Sequence, residues 1–348
     1  MPTEPAAIVN ALIAWYDVHR RVLPWRMTCG EAPDPYAVWL SEIMLQQTTV
    51  TTVRAYYGNF LAKWPQVGDL ASASLDDVLH AWQGLGYYSR ARNLHKCSQV
   101  VTAEYGGRFP DTELELLALP GVGPYTAAAI AAIAFGRKAT PVDGNIERVI
   151  ARLYAVAEPL PKSKPLIRKH AQALTPTGRA GDFAQALMDL GATLCKPKSV
   201  NCLACPLSGF CLANKENDPT RYPLRAPKKA RPTRYGVIFW AMRSDGAVLV
   251  RRRPETGLLG GMIEFPTTEW RELAWEDDAW RDWAPATADW CPLAKPVIHG
   301  FTHFRLELTV VRSTVGGVDG KWCHPDDFSD LALPTVMKKV ATAVAQSS

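Results

Sequence analysis

Residues 119–145, LPGVGPYTAAAIAAIAFGRKATPVDGN, constrain the fold of this chain more than any other stretch. They open on a glycine-punctuated turn, where Gly121 and Gly123 permit positive φ and close approach of another surface. Pro124 suits the first position of a helix, and the alanine-rich run to Phe135 predicts that helix, ended by Gly136. Amides in such a turn and in the first helical turn lack internal partners, which makes an anion site suited to a backbone phosphate. Residues 141–145, PVDGN, then put the Asp143 carboxylate on a tight turn ahead of a second helix. A phosphate grip with a carboxylate close behind points to chemistry on nucleic acid, although GVG alone also serves as a plain helix-to-helix connection.

The chain, 348 residues long, has room for two domains with separate cores. No apolar run approaches the length of a membrane span. The opening MPTEP lacks the basic and apolar regions of a signal peptide, so the expected location is intracellular, cytoplasmic, and nucleoid-associated in a bacterium. A net charge of +5 is too mild to imply nucleic acid by itself. Without an export signal, the eight cysteines read as reduced thiols or a metal centre rather than disulfides.

Residues 5–20 carry Ile8, Leu12, Ile13, Trp15 and Tyr16 at helical spacing. Asp34 and Pro35 read as N-cap and first residue of a helix over 36–49. Its Trp39, Leu40, Ile43, Met44 and Leu45 are too apolar for a surface helix, and Glu42 lies inside that run. A carboxyl buried there should have its pKa raised, which suits a general acid near neutral pH; a structural Glu paired with a buried Arg is the alternative. Gln46 and Gln47 continue the same helix. Residues 84–92, GLGYYSRAR, join a tight turn to a basic helix with Tyr87 at its start, fitting a wedge between base steps flanked by phosphate-binding arginines, or plain packing. Further helices are expected over 145–157, 164–174 and, capped by Asp182, 183–195. No strand-like alternation occurs before about residue 233, so the first two-thirds read as all-helical.

Cys195-x6-Cys202-x2-Cys205-x5-Cys211 places four thiols within 17 residues. They can close around one compact metal centre, and spacing alone leaves zinc open beside iron–sulfur. Cys29, Cys97, Cys291 and Cys323 are scattered. Residues 214–234 hold four prolines and a run of basic side chains (Arg221, Arg225, Lys228, Lys229, Arg231 and Arg234), reading as a linker whose charge either tracks a DNA backbone or is merely solvated. From residue 235 the pattern turns to α+β, with short strands over 236–241, 247–251, 297–301 and 306–311. The expected domains are therefore 1–213, with the cysteine loop at 195–211, then the linker 214–234, then 235–348.

LPGVGxxTA followed by VDxN resembles the helix-hairpin-helix and aspartate signature of the endonuclease III superfamily of DNA glycosylases. SEIMLQQT, the cysteine spacing and the second domain narrow the resemblance to the MutY family of adenine DNA glycosylases, over nearly the whole chain. The implied fold is a mainly α helix-hairpin-helix glycosylase domain with an iron–sulfur loop, plus an α+β Nudix-like C-terminal domain. The segment GLLGGMIEFP resembles the start of the Nudix motif, but the acidic REUxEE helix is missing, so a binding domain is expected rather than a second hydrolase. The resemblance implies one [4Fe–4S] cluster on Cys195, Cys202, Cys205 and Cys211; Lys196 and Lys198, the basic residues inside that loop, are placed to reach DNA phosphates. It makes Glu42 the catalytic acid, Asp143 the carboxylate at the sugar and Asn145 its orienter. Arg21, Trp25, Arg26, Leu45 and Gln185 match the family's adenine pocket, and Gln46, Gln47, Leu85, Tyr87, Gly121 and Gly123 its DNA-facing positions. Phe301-Thr302-His303 corresponds to the loop that contacts 8-oxoguanine, with threonine where the family has serine; the hydroxyl is kept and a methyl added. On the residues alone, His299 and His303 are ordinary strand positions.

The expected reaction is hydrolysis of the N-glycosidic bond of an adenine flipped from duplex DNA opposite 8-oxoguanine or G, by a monomer. Tyr125 stands where glycosylase/lyases of the endonuclease III type carry the lysine that forms a Schiff base, so the expected enzyme is monofunctional. The alternatives are a glycosylase/lyase for oxidised pyrimidines, opposed by Tyr125 and the second domain, and a catalytically silent iron–sulfur DNA-binding protein.

Overall fold

Local signals place most of the helices. The computed structural model describes residues 5–26, 33–227, 230–254, 257–276, 278–331 and 333–347. The loop at 27–33 lies outside the described residues except for Pro33, and Cys29 lies outside them too. The helices are α1 (Pro5–His19), α2 (Pro35–Leu45), α3 (Val50–Lys63), α4 (Val67–Ser72), α5 (Leu75–Ala81), α6 (Ser89–Tyr105) and α7 (Glu113–Ala118). They continue with α8 (Pro124–Phe135), α9 (Gly144–Leu153), α10 (Lys164–Leu174), α11 (Ala180–Thr193), α12 (Leu212–Lys215) and α13 (Thr335–Ala345). Asp34 caps α2 by accepting from the Tyr36 amide at 3.0 Å, with Pro35 next. Pro124 opens α8 and Gly136, at φ 64°, closes it.

The chain divides into two units, residues 1–81 with 90–227, and residues 82–89 with 228–348. In the first, α2 and α8 are apolar on almost every face and pack on each other as central helices. Trp39, Leu40 and Met44 of α2 are fully buried. A second core joins α1, α9, α10 and α11 through Ile8, Leu12, Ile150, Ile167 and Phe183. At Gly191 a Cβ would lie 2.6 Å from the Asn145 Cβ, so this glycine lets α11 come up against the start of α9.

Several expectations are corrected. Helix α2 stops at Leu45 rather than continuing to residue 49, so Gln46 and Gln47 do not share its helical conformation. The stop comes from Arg90, whose guanidinium donates to the Ile43 and Met44 carbonyls at 3.0 and 2.9 Å and so satisfies the helix end. Asp182 sits in the first turn of α11 and pairs with Arg179, which holds the N-cap position. Residues 214–227, expected in a free linker, belong to the first unit. Tyr222 is buried, its carbonyl accepts from Arg152 at 2.9 Å, and Leu160 donates to the Leu224 carbonyl at 2.8 Å. Beyond α12 and a 3-10 turn at Pro219–Arg221 the prolines leave the chain without an α-helix, and interior donors take up its carbonyls instead. Lys228 and Lys229 lie outside the described residues.

The second unit is built on a mixed sheet. Its strands are β1 (Thr233–Met242), β2 (Val248–Arg252), β3 (Ile263–Glu264), β4 (Cys291–Pro292), β5 (Val297–Gly300), β6 (Arg305–Thr314) and β7 (Lys321–Cys323). The order β3-β2-β1-β6-β4 has β1 and β6 parallel, in register from Thr233↔Arg305 to Met242↔Thr314. One face buries Ile238, Val310 and Met337 with α13, and the other buries Val237, Phe239 and Trp290. Glu264, in the Nudix-like segment, is buried and held by Arg251 at 2.9 Å and by Arg253.

Candidate active site

Two carboxyl groups from distant parts of the first unit line one cavity of about 750 Å³. Glu42 comes from the middle of α2 and is 6% exposed. Burial pushes its carboxyl up to about 7; the hydroxyl of Tyr125 and the charge of Arg26 pull it down, and Asp143 raises it. The Tyr125 hydroxyl donates to Glu42 Oε2 at 2.9 Å, and burial with the nearby carboxylates raises its own pKa. Both are consequences of helices with no polar face: each polar group must find its partner inside.

Asp143 sits at the N-cap of α9, half-buried. Its Oδ1 accepts from the Asn145 and Ile146 amides at 2.9 and 2.7 Å, and its Oδ2 from the Asn145 side chain at 2.8 Å. Asn145 Oδ1 in turn accepts from Arg148 at 2.9 Å, and Arg148 also donates to the Gly191 and Cys195 backbone carbonyls, both at 2.7 Å. Sequence reading missed Arg148, which joins the aspartate turn to the start of the cysteine loop.

Arg21, Trp25, Arg26, Leu45 and Gln185 meet Glu42 around a smaller adjoining cavity. Trp25 is buried edge-on against Tyr57, with ring centroids 5.4 Å apart. Gln185 donates to the Gly181 carbonyl at 3.3 Å. The two arginines are gripped by Asp189 of α11, a fully buried carboxylate with no sequence signal of its own.

The larger cavity is also bordered by Gln46, Gln47, Gly121 and Gly123. Gln46 donates to the Thr126 hydroxyl at 3.1 Å. Gln47 is exposed at φ 58°, a left-handed backbone that costs a non-glycine residue roughly 1–2 kcal/mol. Gly121 has φ 74°, and a Cβ there would collide with the Asn93 side chain at 2.6 Å. Gly123 is corrected: its backbone is extended at φ −90°, and a Cβ there would meet nothing within 4 Å. It therefore needs no glycine for its conformation and leaves an open surface beside α8.

The four clustered cysteines line a common cavity of about 30 Å³ with Arg152, and no described cysteine is in a disulfide. No three described His, Cys, Asp or Glu side chains gather closely enough to hold a single metal ion. Burial raises Cys205 to about 12, and it raises Cys202 and Cys211, with the neighbouring thiols adding to each. Arg152, itself 2% exposed, donates to Cys195 Sγ at 3.2 Å and to the carbonyls of Cys195, Lys196, Pro197 and Tyr222. This clasp also escaped sequence reading. Lys196 and Lys198 are exposed.

Comparison with known proteins agrees with this arrangement. Residues 40–176 match the model of the HhH-GPD superfamily base excision DNA repair proteins, and residues 237–343 match that of a NUDIX domain. The adenine DNA glycosylase of Homo sapiens is 35% identical over 408 residues, covering 97% of this chain and 74% of the human protein. That of Mus musculus is 36% identical over 97% and 78%. The chain belongs to the adenine DNA glycosylase family. As a member of it, the chain is a DNA glycosylase of base excision repair. A thermostable thymine-DNA glycosylase has a similar structure, with TM-score 0.56 and 33% identity over 61% of this chain and 97% of that one. An endonuclease III–DNA complex, at TM-score 0.53 and 22% identity over 62% and 98%, shares the fold.

Within this glycosylase the remaining expected positions lie in the second unit. Leu85 is 5% exposed. Tyr87 is 54% exposed at φ 47°, and its hydroxyl lies 3.2 Å from that of Thr302. Thr302 and His303 form an exposed tip, closed by the Phe301 amide donating to the Phe304 carbonyl at 2.9 Å. Phe301 is half-buried and stacks on Phe304 at 4.8 Å, with the Arg234 guanidinium over the Phe304 ring at 4.7 Å. Among the described residues, no helix is long and apolar enough to cross a membrane.

Proposed function

We propose that this glycosylase removes adenine paired with 8-oxoguanine, or with G, from duplex DNA by hydrolysis of the N-glycosidic bond, without cutting the strand. The observation that carries the reading is the single cavity shared by a buried, protonatable Glu42 and by Asp143 on a helix N-terminus. Adenine is a poor leaving group and the departing sugar becomes cationic, so the bond needs an acid on the base and a negative charge at the sugar. Glu42 donates its proton to adenine N7 and becomes a carboxylate. Asp143, oriented by Asn145, stabilises or transiently bonds the sugar C1′, after which water completes the hydrolysis. Arg21, Trp25, Arg26, Leu45 and Gln185 receive the flipped base.

Flipping costs roughly a few kcal/mol. Gln47 and Tyr87, both exposed and in left-handed conformations, fill the space left in the stack. The turn at Gly121 and the open backbone at Gly123 hold phosphate. Thr302 and His303 read the 8-oxoguanine, on the rigid platform of Phe301 and Phe304. Position 125 offers a phenol committed to Glu42 rather than an amine, which leaves no group for a Schiff base. The enzyme acts as a monomer in this reading.

Cys195, Cys202, Cys205 and Cys211 would hold one [4Fe–4S] cluster. A zinc ion draws four sulfurs to about 2.3 Å from one point. A four-iron cluster takes one thiolate per iron, and the support for it here is the set of four cysteines lining a common cavity in a chain of this family. Bound there, the cluster supplies a structural brace and no step of the reaction.

The test is single-turnover cleavage of duplexes carrying 8-oxoguanine:A or an oxidised pyrimidine, with and without alkaline work-up. Strand breaks only after alkali at the adenine support the proposal. Direct nicking at the pyrimidine would point to a lyase, and binding without release to a silent protein. Brown absorption of the pure protein supports the cluster, whereas a colourless protein contradicts it.

A further inference from the structure

The base pocket contains a carboxylate that the reaction does not use. Asp189 lies in α11 with its side chain fully buried, yet four donors converge on it. The amide and Nε of Arg21 reach it at 3.0 and 2.5 Å, and Nη1 and Nη2 of Arg26 at 2.6 and 2.9 Å. Each oxygen thus serves both arginines. The same two arginines border the cavity that holds Glu42, and their side chains are 28% and 10% exposed.

The charged groups around Glu42 come from separate elements. Asp143 approaches from the turn before α9, and Arg21 and Arg26 from the segment after α1. Tyr125 of α8 donates its hydroxyl, while among the described residues α11 presents the neutral Gln185, Met188 and Ala192 to these cavities, and α3 Val50. A guanidinium beside a buried carboxyl favours the charged form, and Arg26 acts on Glu42 in that sense. Two unscreened guanidinium groups bordering that cavity, Arg26 foremost, would favour the deprotonated acid and weaken it as a donor. One carboxylate shared between them removes most of that field and also fixes both side chains in a pocket that must read a base edge.

We propose that Asp189 is a positioning residue that clamps Arg21 and Arg26 for base recognition and screens their charge from Glu42, so that the acid keeps its proton at neutral pH. The inference rests on the reading of Glu42 as the acid that releases adenine.

The experiment is the pH dependence of single-turnover adenine release by the full chain, between about pH 5 and pH 9. The wild type is measured first, on 8-oxoguanine:A duplex. No release by the wild type at any pH would overturn the functional reading itself, whereas a normal wild-type profile leaves the Asp189 variants to decide the present point. In Asp189→Asn the midpoint of the alkaline limb falls by about one pH unit, and the acidic plateau is reduced less than the rate at neutral pH. Removing one partner of a buried ion pair endangers folding, so Arg26→Met is measured alongside, with circular dichroism as the check. That change takes a cation from the acid and leaves Asp189 with one partner, so the midpoint rises. In Asp189→Asn/Arg26→Met it returns toward the wild-type value. A rate lowered equally at every pH with an unmoved midpoint in Asp189→Asn is what a purely structural role gives, and it overturns the proposal. If Asp189→Asn does not fold, an unmoved or lowered midpoint in Arg26→Met overturns it.

Discussion

Glu42 and Asp143 border the same cavity, yet the chain supports them in opposite ways. Glu42 is set within a helix whose neighbours are Trp39, Leu40, Ile43 and Met44, and its described hydrogen-bond partner is one phenol. Asp143 is set at a helix start, where two backbone amides and a side-chain amide donate to its oxygens. A helix middle offers a carboxyl no backbone donors, and a helix N-terminus offers several. The difference between a proton donor and a resident negative charge thus begins with where along a helix the acid is placed, before any catalytic geometry is considered.

Replacing each carboxyl by its amide tests that comparison most severely. Glu42→Gln and Asp143→Asn are each expected to slow adenine release by about a thousandfold or more, with duplex binding kept. Single-turnover kinetics with a gel-shift assay checks both, and near-normal release by either variant breaks the assigned division. The next effect is on stability. A carboxyl whose pKa rises from 4.5 to about 7 on folding stabilises fully below pH 4.5, and that stability is lost as pH rises through 7. Glu42→Gln removes the loss, so at pH 8 the variant should gain up to about 3 kcal/mol relative to its position at pH 4. Urea melts at the two pH values measure it, and an unchanged difference contradicts burial of the ionising group.

Arg148→Met frees the Asn145 side chain and so loosens only the Asp143 end. Release should fall about tenfold to a hundredfold with the pH profile unmoved, because the Glu42 end is untouched. Tyr125→Phe acts at the other end alone. Losing a donor to the carboxylate raises Glu42 further, so the alkaline limb moves to higher pH and the rate at neutral pH changes only a few-fold. A downward shift in that variant would reverse the assigned role of the phenol.

What was legible in the sequence is what local chemistry writes. Pro124 and Gly136 bound α8 as expected, Asp143 caps α9, and the apolar run around Glu42 announces its burial. The strands near 236–241 and 306–311 were readable from alternation, but their parallel pairing was not, since it depends on a crossover. Features set by distant partners were lost. Helix α2 overran in the reading because its stop signal is Arg90, remote in sequence from the carbonyls it satisfies. The grip of Asp189 on Arg21 spans 168 residues, and nothing near position 189 marks it as different from any helical aspartate. The segment up to Pro227 read as free chain because its attachments are backbone carbonyls, which have no letter in the sequence.

The clasp formed by Arg152 carries one last implication. A single interior guanidinium holds three successive carbonyls of the cysteine loop, one thiol, and the returning peptide at Tyr222. If that loop peeled away, a cation would be left stranded in the interior of α9, the helix that begins at the catalytic aspartate. Loop and helix are thereby tied together: opening the one strips the buried cation of the other of its acceptors, which couples their unfolding.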